Sequence, residues 1–193
     1  MDLKPQLLLH SCCAPCSTVA IERLSSKYDI TVYFFNPNIF PRDEYEKRKN
    51  EQLSFINTFN TENEKNVEEN QRIKIQFMDG DYDDDLFYQT ILGFEDEPEM
   101  GARCEKCIEL RLLKTFEKAN SHGIGSFATT LSVSPHKDTK MINQIGKNIA
   151  EGRDIDFIEN DFKKMDGYKK SIDISKNYGL YRQNYCGCKF SIR

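Results

Sequence analysis

Hydrophobic positions fall along this chain in two alternating patterns, short apolar runs and longer stretches with an apolar stripe. Residues 6–11 are a compact apolar run that opens directly into a group of cysteines, and they predict a first strand. A helix follows over 17–28, with Val19, Ala20, Ile21 and Leu24 as its apolar positions. Residues 31–35 are β-branched and aromatic, which predicts a second buried strand ending at the turn Asn36-Pro37-Asn38. Residues 42–59 read as a charged helix held by Tyr45, Leu53, Phe55, Ile56 and Phe59. The polar stretch 60–70 reads as a fraying helix end or a loop. Residues 73–78 alternate as a third strand. The acidic turn 79–85 is placed to cap a helix over 86–92, and it lacks the glycine and ligand spacing of a calcium loop. A helix over 104–121 carries Leu110, Leu112, Leu113, Phe116 and Ala119 on a broad face. A fourth strand (125–131), a helix (137–150), a short fifth strand (156–158) and a helical region (162–178) complete the pattern.

Strands alternating with helices predict an α/β fold, a mainly parallel sheet flanked by helices on both faces, in a single domain over 1–193. No internal repeat or linker interrupts it. In such sheets ligands sit beyond the C-terminal strand ends, where the strand order reverses. The first cysteines lie just after strand one, and Thr129-Thr130-Leu131-Ser132 lies at the end of strand four, so the two are expected to face each other across one crevice.

Composition narrows the function classes. The chain of 193 residues is 38% hydrophobic and 30% charged, and no apolar run approaches the ~20 residues of a membrane span. The first residues lack the features of a secretory signal, so the expected location is cytoplasmic, with no membrane partner. Cytosolic thiols are kept reduced, which points cysteine clusters toward metal or catalysis before disulfides. The net charge is -4, but residues 132–193 carry 12 basic against 8 acidic side chains, whereas 1–131 carry 15 against 23. A basic end on an acidic chain is compatible with a phosphate backbone, though charge alone does not decide this.

The seven cysteines stand in three tight groups: Cys12, Cys13 and Cys16; Cys104 and Cys107; Cys186 and Cys188. A two-residue gap lets both thiolates of a pair turn toward one metal. A one-residue gap does so through a tight bend, which Gly187 allows. Cys16 and Cys107 sit near predicted helix N-termini, where the dipole favours thiolate. This pattern predicts a metal site. Zinc takes four such ligands and so does a 4Fe-4S cluster. The remaining three thiols are open to a second metal, a substrate contact or a redox pair. His10 reads as a hydrogen-bonded core histidine, and His122 and His136 as surface or turn residues.

The stretches Leu8-Leu9-His10-Ser11-Cys12-Cys13-Ala14-Pro15-Cys16, Phe35-Asn36-Pro37-Asn38-Ile39, Arg103-Cys104-x-x-Cys107, Thr129-Thr130-Leu131-Ser132-Val133-Ser134-Pro135 and Tyr181-Arg182-Gln183-Asn184-Tyr185-Cys186-Gly187-Cys188 resemble the motifs of the QueH-type epoxyqueuosine reductases, in that family's order and over nearly the whole chain. The resemblance implies a two-electron, cobalamin-independent deoxygenation of epoxyqueuosine to queuosine at the wobble position of tRNA with a GUN anticodon. The epoxide becomes an alkene and water is released. It implies a 4Fe-4S cluster with a second, mononuclear iron, and electrons from an external donor. It also implies a fold like the adenine-nucleotide alpha hydrolase (HUP-like) domains. Their glycine-rich ATP loop after strand one is replaced here by residues 12–16, and no glycine precedes Gly80, so no ATP is expected. On this resemblance the ligand set is all seven cysteines, with Cys13, Cys16, Cys104 and Cys107 given to the cluster and Cys12, Cys186 and Cys188 to the second iron or the substrate. Cys186, Cys188 and Tyr185 are the expected catalytic residues. Tyr181, Arg182, Gln183, Thr130 and Ser132 are expected to bind substrate, with Ser134 beside them. Lys163, Lys164, Lys169 and Lys170 read by default as ordinary surface lysines, with contact to the tRNA backbone as the alternative.

Overall fold

A computed structural model describes residues 4–68 and 71–192. Met1, Asp2 and Leu3, Glu69 and Asn70 of the polar stretch, and Arg193 lie outside the described residues. Among the described residues, five parallel strands form one sheet in the order β3-β2-β1-β4-β5: β1 (Gln6–His10), β2 (Asp29–Phe34), β3 (Gln76–Asp79), β4 (Ser126–Thr129) and β5 (Asp156–Phe157). The chain builds outward from β1 to β3, then returns to the other side of β1 for β4 and β5. The order therefore reverses between β1 and β4, and the expected α/β sheet is borne out.

Alternation along β1 explains why both faces are covered. Leu7 and Leu9 enter one core with Ile30, Val32 and Phe55, while Leu8 enters the opposite core with Tyr33, Phe127 and Leu112. All three leucines of β1 are fully buried, each contributing about 2 kcal/mol. The first core is closed by α1 (Ala14–Leu24) and α2 (Arg42–Asn66), with α6 (Gly167–Asn177) packed on α1. The second is closed by α4 (Ala102–Ser121) and α5 (Thr139–Ala150). A short α3 (Asp84–Thr90) is capped by Asp83, whose carboxylate accepts from Leu86 N at 3.0 Å, as the acidic turn predicts.

Several boundaries differ from the sequence pattern for identifiable reasons. α1 starts at Ala14 rather than 17, because Pro15 fits a first helical turn. α2 runs on to Asn66. Its Asn60 exchanges hydrogen bonds with both backbone groups of Ile75, and Asn63 accepts from Ile73 N, so 73–75 are withheld from the sheet and β3 begins at Gln76. β4 stops at Thr129, whose hydroxyl accepts from Leu131 N and turns Thr130–Val133 into a 3-10 turn. Asp138 caps α5 through Lys140 N and Met141 N, which leaves Lys137 outside the helix. α6 begins only after Met165 and Asp166, both at positive φ. Among the described residues no helix is long and apolar enough to cross a membrane.

Gly167 marks where α6 is pressed against the preceding loop. A Cβ there would lie 1.7 Å from the carbonyl oxygen of Phe162, whereas a Cβ on Gly125 would meet nothing within 4 Å. Gly167→Ala is expected to lower stability by roughly 1–3 kcal/mol in urea unfolding. Gly125→Ala should stay within about 0.5 kcal/mol. Equal midpoints for the two variants would refute this packing.

Candidate metal and active centre

The first thiol group is built by the junction of β1 and α1. Cys13 is the N-cap of α1 in extended backbone, and Cys16 sits in its first turn. One turn of helix thus brings Cys16 back beside Cys12 and Cys13, and the three Sγ atoms lie within 4.8 Å of one another. Cys12 Sγ is 3.8 Å from Cys13 Sγ and 3.9 Å from Thr130 Oγ1, so the ends of β1 and β4 do meet across one crevice. Hydrogen bonding from Cys13, then Cys16, holds the Cys12 thiol well below its ordinary value. The same contacts push Cys13 up to about 12 and raise Cys16. Cys12 also lies near the N-terminus of α1, whose dipole favours a thiolate.

The second group joins α4 to the C-terminal segment. Cys104 and Cys107 are one helical turn apart on α4. Cys186 and Cys188 are folded toward them by Gly187, at φ 133, and all four line one pocket. This differs from the expected division of ligands: Cys13 and Cys16 stand with Cys12, while Cys186 and Cys188 stand with Cys104 and Cys107. Helix pitch and the glycine bend decide the grouping. The bend is anchored by Phe40 N donating to Gly187 O at 2.8 Å and by Arg48 Nη1 donating to Cys186 O at 3.2 Å.

A buried arginine acts on both groups, and a half-buried lysine stands against the second. Arg111, only 2% exposed, donates from Nε to Cys107 O at 3.1 Å. Burial opposes its charge, but thiolate from Cys107, Cys186, Cys12 and Cys104 strengthens it. Arg111 thus acts on both groups at once. Lys137 Nζ lies 3.1 Å from Cys186 Sγ. Burial alone would raise the Cys186 thiol, yet Lys137 and Arg111 outweigh it and lower it. Burial pushes Cys107 up to about 11 and also raises Cys188. Neither Arg111 nor Lys137 was expected from the sequence. Arg111 carried a signal, a charge four residues after Cys107 on a helix face otherwise rich in leucine; Lys137 carried none.

A cavity of about 270 Å³ is lined by Cys12 and Cys16 of the first group and by Cys186 of the second. Arg182, Gln183 and Tyr185 line it, as does Ser134. Arg182 donates to Ser175 Oγ at 3.1 Å, which ties it to α6. Tyr185 donates its hydroxyl proton to Phe40 O at 2.6 Å and presents its ring 5.0 Å from the Arg48 guanidinium. Tyr181 is outside the cavity wall, with its hydroxyl on Glu44 at 3.3 Å and Lys47 Nζ 3.3 Å over its ring. Thr130 backs Cys12, and Ser132 donates to Asn160 Oδ1. Lys163 donates to Lys137 O at 2.7 Å and Lys170 pairs with Glu22 at 2.7 Å, whereas Lys164 and Lys169 are exposed. His10 uses both ring nitrogens, on Thr129 Oγ1 at 2.9 Å and Phe35 O at 3.1 Å, and burial lowers it to about 4. It is a neutral core histidine, as the sequence suggested. His136 is exposed but lines the cavity.

A family profile described as epoxyqueuosine reductase QueH matches residues 7–193. The chain is 39% identical over 192 residues to the epoxyqueuosine reductase QueH of Streptococcus pyogenes serotype M1, spanning all of this chain (100%) and 72% of that protein. It is 40% identical to the one from Haemophilus influenzae, over 97% of this chain and 72% of the relative. For Thermotoga maritima the identity is 36%, over 96% of this chain and 90% of the relative.

The bend at Gly187 has a measurable cost if altered. A Cβ there would lie 3.1 Å from Ile39 Cγ1 and 3.2 Å from Arg48 Nη1, on top of the strained φ. Gly123 has a positive φ of 66° with nothing near. Gly123→Ala should cost roughly 1 kcal/mol in the reduced, metal-free protein, and Gly187→Ala roughly 2–3 kcal/mol. Matching losses in chemical unfolding would show that the crowding around residue 187 is not real.

Proposed function

We propose, because this chain belongs to the epoxyqueuosine reductase QueH family, that the cavity between its two thiol groups is where the epoxide is reduced, with iron held by the cysteines. The chain is an oxidoreductase converting epoxyqueuosine to queuosine in tRNA. The observation carrying the site assignment is the gathering of the seven cysteines into two groups, three of whose thiols, Cys12, Cys16 and Cys186, line that one cavity.

The donor chemistry fits. Four thiols around one pocket match the ligand number of a 4Fe-4S cluster, and among the described residues lining it the anionic donors are all thiols. Arg111 and Lys137 offset their charge. Cys12, Cys13 and Cys16 suit a single iron with a position left open, since Cys12 and Cys16 reach the cavity. A cluster of this kind supplies single electrons, and an open-coordinated iron supplies a Lewis acid for an epoxide oxygen.

Making an alkene from an epoxide breaks both C–O bonds, forms the C=C bond and consumes two electrons and two protons, with the oxygen leaving as water. The electrons come from an external donor. The chain's own part is to hold the nucleoside and keep the reacting edge between the thiol groups. Gln183 lines the cavity beside Arg182 and Tyr185. Tyr185 offers its ring as a wall for stacking, and Arg182 offers a guanidinium to phosphate. Thr130 positions Cys12, and Ser132 braces Asn160 at the crevice floor. The exposed Lys164, just before α6, and Lys169, on it, suit the backbone of an anticodon arm carrying the modified wobble base of a GUN anticodon.

Anaerobically purified protein should be brown and should convert epoxyqueuosine in tRNA to queuosine in a single turnover with dithionite, read by nucleoside mass analysis. Cys107→Ser should lose the visible absorbance and the turnover. Cys16→Ser should keep the absorbance and lose turnover. A Cys107→Ser protein that keeps its full absorbance would defeat this division of the thiols.

A further inference from the structure

Lys137 stands where the four-thiol pocket and the cavity meet, and it lines both. Among the described residues Cys186 is the one thiol shared by the two walls. The lysine ammonium lies 3.1 Å from that sulfur. Its backbone is fixed on three sides. Lys137 N donates to Ser134 O at 3.3 Å, Lys163 Nζ donates to Lys137 O at 2.7 Å, and the next residue, Asp138, caps α5. An amine so placed beside a thiol is a built feature rather than a surface lysine folded inward.

Adding an electron to a centre already ringed by four thiolates is opposed by their charge. A hydrogen bond and a fixed positive charge on a ligand sulfur favour the reduced form over the oxidised one, and so raise the reduction potential. Arg111 also supplies positive charge, but it reaches both thiol groups, whereas Lys137 is directed at Cys186.

We propose that Lys137 is a positioning residue which, through its contact with Cys186, raises the reduction potential of the iron–sulfur group in the four-thiol pocket. The inference rests on the reading that these four thiols hold such a group. The electron comes from a low-potential one-electron donor and is taken up by the bound iron; no bond of the protein is made or broken.

The test is a redox titration of the reconstituted protein, followed by visible absorbance and electron paramagnetic resonance, with iron content measured in parallel. Lys137→Met and Lys137→Gln should bind iron as the unaltered chain does but titrate at a lower potential. At a fixed donor potential the ratio of reduced to oxidised centre should fall about tenfold, which is about 59 mV for a one-electron couple. Lys137→Arg, which restores the charge, should recover most of the shift. Unchanged potentials in the Met and Gln variants would overturn the proposal. So would loss of iron from a variant whose far-ultraviolet spectrum shows it folded, since that would make Lys137 a requirement for ligation. If Lys137→Met fails to fold, Lys137→Gln carries the same comparison. An unaltered chain that takes up no iron–sulfur group would instead overturn the site assignment beneath it.

Discussion

Thiols gathered in a protein interior repel one another as they ionise, and burial makes each charge harder to form. Here that cost is offset by the guanidinium of Arg111, itself withdrawn from water, and by the half-buried ammonium of Lys137. Arg111 sits on α4 within electrostatic reach of Cys12 as well as of Cys104, Cys107 and Cys186. Burial of such a cation is tolerable only where negative charge meets it. The cations and the thiols therefore require each other.

The second requirement is a sheet that brings the right chain ends together. Strand order reverses between β1 and β4, so their C-terminal ends diverge into loops with a crevice between them. The β1 end carries Cys12 and Cys13, and the β4 end carries Thr130. The C-terminal segment has little regular structure, and α2 ties it to this crevice. Arg48, 1% exposed, bonds Glu44 at 2.7 Å, holds the carbonyl of Cys186 and stacks under Tyr185. One buried arginine thus sets the register of the tail that delivers two of the seven thiols.

Charge within the site is distributed unevenly, and this gives the groups different chemistry. Cys12 and Cys186 are the thiols drawn toward ionisation, one by its neighbouring thiols and a helix N-terminus, the other by two cations. Both line the cavity. Cys13, Cys107 and Cys188 lie deeper and are pushed the other way. A thiol lowered by its surroundings in each group therefore faces the cavity between them.

Much of this was legible in the linear chain. Apolar runs of strand length and helical stripes determine a parallel α/β sheet, because a strand buried on both faces must be apolar throughout while its covering helices need only one apolar side. The spacing of the cysteines, and Gly187 between the last two, likewise announced that three remote segments serve one site. Tertiary structure alone decided which thiols stand together. Cys16 returns to Cys12 because α1 starts early at Ala14, and the tail turns its pair toward α4 because Arg48 and Phe40 hold it there. Tertiary structure alone also placed the cations: Lys137 is 49 positions from Cys186 in the chain and 3.1 Å from it in space. Local periodicity records what each segment buries, whereas charge compensation acts through space between segments and leaves no spacing to read.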